Sequence, residues 1–176
     1  MIKLRQAIFS DCVAIAKLHA DNWRQTYRGI LSDQFLDNEV EIDRLDTWHE
    51  RLKSPSPNQL VIVATSNEAI LGFCCLFLND DPVFGSLLDN LHVTSSMRKS
   101  GIGKMLINDC VKYICDKAHT KKMYLWVYEA NTNARIAYER LGGKHFETVT
   151  KKNEDGNIQK ICRIIWEDVR NLSTSI

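Results

Sequence analysis

The sequence predicts a mixed α/β fold in which a central sheet carries helices on both faces. Three observations predict it. The middle of the chain alternates strand-like and helix-like segments, whereas both ends read as antiparallel hairpins. At 176 residues with 44% hydrophobic side chains, the chain can bury one substantial core and is short for two. The expected organisation is therefore a single domain over residues 1–170 with a short tail at 171–176.

The elements follow in order. "IKLRQAI" (2–8) alternates and reads as a strand, after which Ser10 and Asp11 supply an N-cap for a helix running to about Tyr27. The stretch to Ser54 is mostly helical, with a break at Gly29 and a new N-cap at Ser32 or Asp33. Prolines in "SPSPN" (54–58) stop it. "QLVIVATS" and "AILGFCCLFLN" are strands joined by Asn67-Glu68, a hairpin signal. "DDPVFGS" reads as a loop and "LLDNLHVTS" (87–95) as the next strand. Ile102, Leu106, Cys110 and Ile114 then recur every four residues, the buried stripe of a helix from Gly101 to about Lys117. A strand (123–129), a helix (131–142) and a strand pair around "EDGN" (154–157) complete the chain.

A formal charge of +1 supplies no global field for nucleic acid or an anionic membrane, so neither is an expected partner. No apolar run approaches the roughly 18 to 20 residues that span a bilayer, and a cytoplasmic location is expected. The six cysteines include no CxxC pair and mostly sit in apolar periodic segments, which suits reduced, buried thiols better than disulfides or a metal site.

One loop stands out. "SSMRKSGIGKML" (95–106) follows a strand, contains Arg98, Lys99, Gly101, Gly103 and Lys104, and opens a helix. Free amides and the positive end of a helix dipole make such a junction an anion site, and no acidic residue occurs between Asp89 and Asp109. A glycine turn with solvated lysines is the plainer reading. Two familiar nucleotide loops fail. A Walker A loop would need Gly where Arg98 stands and Ser or Thr where Met105 stands, and a dinucleotide loop would need a small residue at Leu106.

Arg98-x-x-Gly101-x-Gly103 after "LHV" does resemble the acetyl-CoA signature of the GNAT N-acetyltransferase superfamily. "NTNARIAYERLGG" is similar to that superfamily's second signature through Asn131, Ala134, Tyr138 and Gly142, in the right order and at about the right separation. "DNWRQTYRGILSDQFLD" (21–37) resembles the first helical region of bacterial members of unassigned substrate. The resemblance implies the GNAT fold, a mixed and mostly antiparallel sheet of about seven strands. It also implies acetyl transfer from acetyl-CoA to a primary amine by direct attack, with a small-molecule acceptor favoured over protein and no metal. Many members dimerise, so a homodimer is among the implied partners. The alternative is a CoA-binding sensor or interaction module without chemistry.

By resemblance, Arg98, Lys99, Ser100, Gly101, Ile102, Gly103 and Lys104 hold the pyrophosphate. Leu91, His92 and Val93 line the pantetheine arm, with the Leu91 amide aimed at the thioester carbonyl; Asn131 and Ala134 contact the same cofactor. Tyr138, otherwise a core tyrosine, becomes the acid for the departing thiolate, and Asn131 otherwise a plain N-cap. The base stays open between Asp89, His92, Glu129, and water or another residue. Period two places Asp89 on the face of Leu91 and His92 on the other. Trp23, Tyr27 and Trp48, with Arg24 or Arg28, are either core packing or the acceptor wall.

Overall fold

The computed structural model describes residues 1–172; the rest of the expected tail lies outside the described residues. Strands β1 (Lys3–Gln6), β2 (Gln59–Ser66), β3 (Ala69–Asp81), β4 (Gly85–Val93), β5 (Met123–Tyr128), β6 (Lys144–Lys152) and β7 (Ile158–Trp166) form one sheet. Its order is β1-β2-β3-β4-β5-β7-β6, and every neighbouring pair is antiparallel except β4–β5. Helices α1 (Cys12–Thr26), α2 (Asp33–Asn38) and α3 (Val40–Lys53) precede β2; α4 (Ile102–Lys117) follows β4 and α5 (Thr132–Arg140) follows β5.

Alternation along the strands sorts the core into two layers. On β2, Val61 and Val63 pack with Ile15, Trp48 and Phe73 under α1 and α3. Leu60 and Ile62 point the other way, to Leu106, Cys110 and Ile114 of α4. The four-residue stripe of α4 is wholly buried, each of Ile102, Leu106, Cys110 and Ile114 having no exposed surface. Burial of such a side chain is worth about 1.5–3 kcal/mol. Leu172 also belongs to this layer, so the packed chain reaches past residue 170.

Some local signals act as the sequence leads one to expect; the N-cap expected of Ser10 and Asp11 does not, because Asp11 makes no side-chain cap to α1 and accepts from Arg5 instead. Ser32 Oγ accepts from the Phe35 amide to cap α2. Asn67 and Glu68 take positive φ, which makes the tight turn between β2 and β3. The cysteines are free thiols, all buried except the half-buried Cys115, and Cys74 Sγ lies 3.3 Å from Cys110 Sγ.

Two irregularities position the cleft. The parallel pairing of β4 with β5 ends after Ser86–Met123 and Leu87–Tyr124, and the strands then part. The β3–β4 register shifts between Cys75–Asn90 and Leu76–Leu88, which leaves Asp89 as an extra residue in a bulge.

Candidate active site

The parted strands open two cavities, of about 720 Å³ and about 610 Å³. Both are bordered by Leu91, His92, Asn131, Ala134 and Tyr138, and by Trp23 and Tyr27 on the opposite wall. They meet where β4 leaves β5.

The larger cavity leads to the glycine loop. Gly101 has φ +87°, a conformation an L side chain takes only with strain, and it starts α4 with no side-chain cap. The first bond of the helix runs from the Met105 amide to the Gly101 carbonyl. Among the described residues, the amides of Lys99, Gly101, Ile102 and Gly103 have no backbone acceptor. A Cβ at Gly103 would touch only Val93, at an ordinary 3.8 Å, so nothing in the protein interior requires glycine there. Open space above exposed amides is the shape a phosphate needs. Of the expected pyrophosphate residues Arg98 alone borders the cavity; Lys99, Ser100, Gly101 and Lys104 are exposed beyond it, Gly103 is half-buried, and Ile102 is buried in the core. Arg98 Nη2 donates to Asn22 Oδ1 at 3.0 Å and to Gln25 Oε1 at 3.2 Å, tying the loop to α1.

The strand above the loop presents main chain. The Thr94 amide bonds the Leu71 carbonyl. In an antiparallel ladder bonded residues alternate, so His92 and Asn90 face β3, whereas the backbone groups of Leu91 and Val93 face the gap toward β5. The Val93 carbonyl accepts from Asn22 Nδ2 at 3.0 Å. Across the gap, Asn131 caps α5 through Oδ1 and the Ala134 amide at 3.3 Å while also bordering both cavities. Tyr138, one helical turn on from Ala134, meets Trp166 edge-on at 6.3 Å and borders both cavities. Loss of solvent pushes its phenol up to about 12, so it stays protonated at neutral pH.

The structure revises several expectations on the acceptor side. Period two does not carry Asp89 to the face of Leu91, because the bulge intervenes. Asp89 Oδ2 and Asn90 Oδ1 instead accept from Arg51 Nη1 of α3 at 2.7 and 2.9 Å. His92 does lie opposite Leu91, under α1. Its ring centroid is 4.4 Å from that of buried His19, which accepts from Trp48 Nε1 at 3.0 Å. Burial, with Arg44 and Arg98 nearby, drives His92 down to about 3, so it is a neutral imidazole and a poor proton acceptor at pH 7. Glu129 borders neither cavity and lies 4.0 Å from Lys160. Arg28 is on the loop-side cavity, ion-paired with Asp33 and Asp37, and Arg24 turns to the Leu36 carbonyl and Glu41. Trp48 is core, with no exposed surface.

Other residues take their place. Arg44, Thr47, Arg51, Asn90, Trp126, Tyr128, Lys151 and Glu154 border the smaller cavity. The turn that carries Glu154 is brought over by the β6–β7 hairpin, where Asp155 Oδ2 accepts from the Ser32 amide at 2.6 Å and the Tyr128 hydroxyl donates to Asn153 Oδ1 at 3.0 Å. The β6–β7 hairpin could be read from the sequence; its docking against α2 could not. Among the described residues no group of three or more His, Cys, Asp or Glu could hold a metal.

A parted β4–β5 pair, a glycine-opened helix beside it and a tyrosine helix across it define an acyltransferase scaffold. Residues 15–143 match the model of the acetyltransferase (GNAT) family, and the chain belongs to that family. It is similar to an uncharacterized N-acetyltransferase of Bacillus subtilis (strain 168), YuaI, with 24% identity over 180 residues that cover 99% of this chain and 98% of the relative. Its fold is that of the PaiA N-acetyltransferase of Thermoplasma acidophilum, solved in complex with coenzyme A (TM-score 0.69, 18% identity, 93% of this chain and 98% of that one). It matches Arabidopsis thaliana NAA60 in complex with acetyl-CoA equally well (TM-score 0.70, 18% identity, 94% and 98%).

Proposed function

We propose that the protein transfers an acetyl group from acetyl-CoA to the primary amine of a small molecule by direct attack. The observation that carries this reading is the junction of the two cavities. There the outward backbone of Leu91, the phenol of Tyr138 and the acceptor-side wall come together. The loop amides at 99 to 103 suit the pyrophosphate, and the free edges of Leu91 and Val93 suit the pantetheine amides as an added strand.

Acetyl-CoA supplies the acyl thioester. The amine nitrogen forms a bond to the carbonyl carbon, the carbon–sulfur bond breaks, and the sulfur leaves with the electron pair. The Leu91 amide is placed to steady charge that grows on the carbonyl oxygen; one such donor is worth roughly 3 kcal/mol of barrier. Tyr138 holds a proton for the departing sulfur. A phenol near 12 is a weaker acid than a thiol near 8.5, so its first contribution is a hydrogen bond, with solvent restoring any proton that passes.

The amine must shed a proton. Asp89 serves that role better than His92, because His92 resists protonation whereas Asp89 brings a carboxylate to the acceptor wall. Asp89 Oδ2 is held by Arg51, which leaves Oδ1 to receive the proton directly or through water.

CoA thiol release measured against a library of amines tests the reading. Turnover with at least one class is expected; binding of acetyl-CoA without turnover of any amine would instead favour a sensor or interaction module.

A further inference from the structure

The acceptor-side cavity has an unbalanced charge in its wall. Three cations border it, Arg44, Arg51 and Lys151, against two acids, Asp89 and Glu154. Arg51 is matched by Asp89 at 2.7 Å, and Lys151 by Glu154 at 3.5 Å. Among the described residues, Arg44 makes no ion pair with either of these acids. Its partner is its own helix neighbour Asp43, which accepts from Nε at 2.8 Å and from Nη2, and which does not border the cavity. Among the described residues, Arg44 Nη1 has no acceptor.

Arg44 is also held in an unusual place for a cation. It is only 8% exposed, and its guanidinium lies 4.2 Å over the ring of Trp23. A guanidinium so fixed, with one edge bonded to Asp43 and another open, presents a planar donor pair to a carboxylate or phosphate at small entropic cost. Partial burial strengthens that attraction over what an exposed arginine would exert. Trp23, Tyr27, Trp126 and Tyr128 give the rest of the wall an aromatic character.

We propose that the acceptor is an amine that carries an oxyanion, carboxylate or phosphate, and that Arg44 binds this group while the amine reaches the junction beside Leu91 and Tyr138. The inference rests on the acetyltransferase reading above and assigns its substrate class. A polycationic amine is the wrong partner for this wall, since it would sit against the charge of Arg44.

The test compares matched amines. Tyrosine against tyramine varies a carboxylate, and phosphoethanolamine against ethanolamine varies a phosphate; spermidine supplies a polycation. Wild-type kcat/KM should be at least about tenfold higher for the member that carries the oxyanion than for its partner without it, and the two pairs separate carboxylate from phosphate. Arg44→Gln should collapse that ratio about tenfold or more, chiefly through KM. Asp43→Asn, which removes the competing acid, should widen it. If Arg44→Gln loses its fold for want of packing on Trp23, Arg44→Lys keeps stem and charge and should retain part of the preference. Calorimetric binding of the same amines to the protein with CoA reads the preference without turnover. Absence of thiol release with every amine would sink the acetyltransferase reading. Preference for amines without an oxyanion or for polycationic amines, in rate or binding, or a ratio untouched by Arg44→Gln, would overturn this inference while leaving acetyl transfer in place.

Discussion

On the loop side of the cleft the groups proposed to bind are main-chain amides of nearly consecutive residues, 99 to 103, with the outward edges of Leu91 and Val93 a few positions earlier. On the far side they are side chains from scattered segments: Arg44 and Arg51 on α3, Asp89 at the β4 bulge, Tyr128 on β5 and Glu154 on the β6–β7 turn. The first half depends on backbone path and tolerates many side chains; the second depends on each side chain and on how α3 and the hairpin dock. A cofactor shared across a family suits the first construction, and an acceptor particular to one protein suits the second.

The strongest way to break this contrast is Gly103→Val. A Cβ at Gly103 meets only Val93, at an ordinary 3.8 Å, so the melting temperature should hold within about 3 °C. Acetyl-CoA affinity should fall about a hundredfold, or roughly 3 kcal/mol, because bulk would cover the loop amides. Isothermal titration beside a melting curve reads both; a fold lost together with affinity would mean that the glycine serves packing.

Tyr138→Phe probes the junction. Turnover should drop at least about tenfold with acetyl-CoA affinity nearly unchanged, the pattern of a group acting mainly in the transition state. Equal losses in both would return Tyr138 to a packing role against Trp166.

The far side should announce itself in stability against pH. His92 titrates near 3 in the fold, and His19 is also held well below its usual value by burial, whereas both titrate near 6.5 when unfolded. Between these values the unfolded chain binds protons that the folded chain refuses. Stability is therefore complete above about pH 6.5 and declines as the pH falls toward 3, each histidine adding up to about 1.4 kcal/mol per pH unit to the slope. Denaturant titrations from pH 7 to 4 should show this decline, and His92→Gln should flatten part of it. An unaltered slope would mean that His92 protonates freely. The same neutrality predicts no limb near pH 6.5 attributable to His92 in the rate profile.

The smallest effect should come from Arg28→Ala. Arg28 is an exposed side chain engaged with Asp33 and Asp37 at the loop-side mouth, so acceptor KM should stay within about twofold. A larger change would place the acceptor on the wrong side of the junction.

How legible all this was from the chain alone varied with the range of the interactions. The helix stripe at 102, 106, 110 and 114, the Ser32 cap and the Asn67-Glu68 turn are decided within a few residues and could be read directly. Asp89 could not be oriented. A bulge shifts the two-residue period by one, and it is specified by the pairing with β3 rather than by the sequence of β4. His92 looked like a suitable base because its ordinary titration lies near neutrality. Only the packing of α1 and its cationic neighbours shows that it stays neutral. Arg28 and Arg44 are indistinguishable as letters; the first faces two acids at the surface, the second lies over Trp23 in the acceptor wall.

By itself, then, the sequence determined the order of elements, the glycine-opened α4, the tyrosine helix and the family to which these belong, because each is written in short-range spacing. Tertiary structure decided where β4 and β5 part, which charges face the smaller cavity and which of them remain unmatched. Those are properties of contacts between residues tens of positions apart, and no local pattern encodes the balance of burial and charge that results.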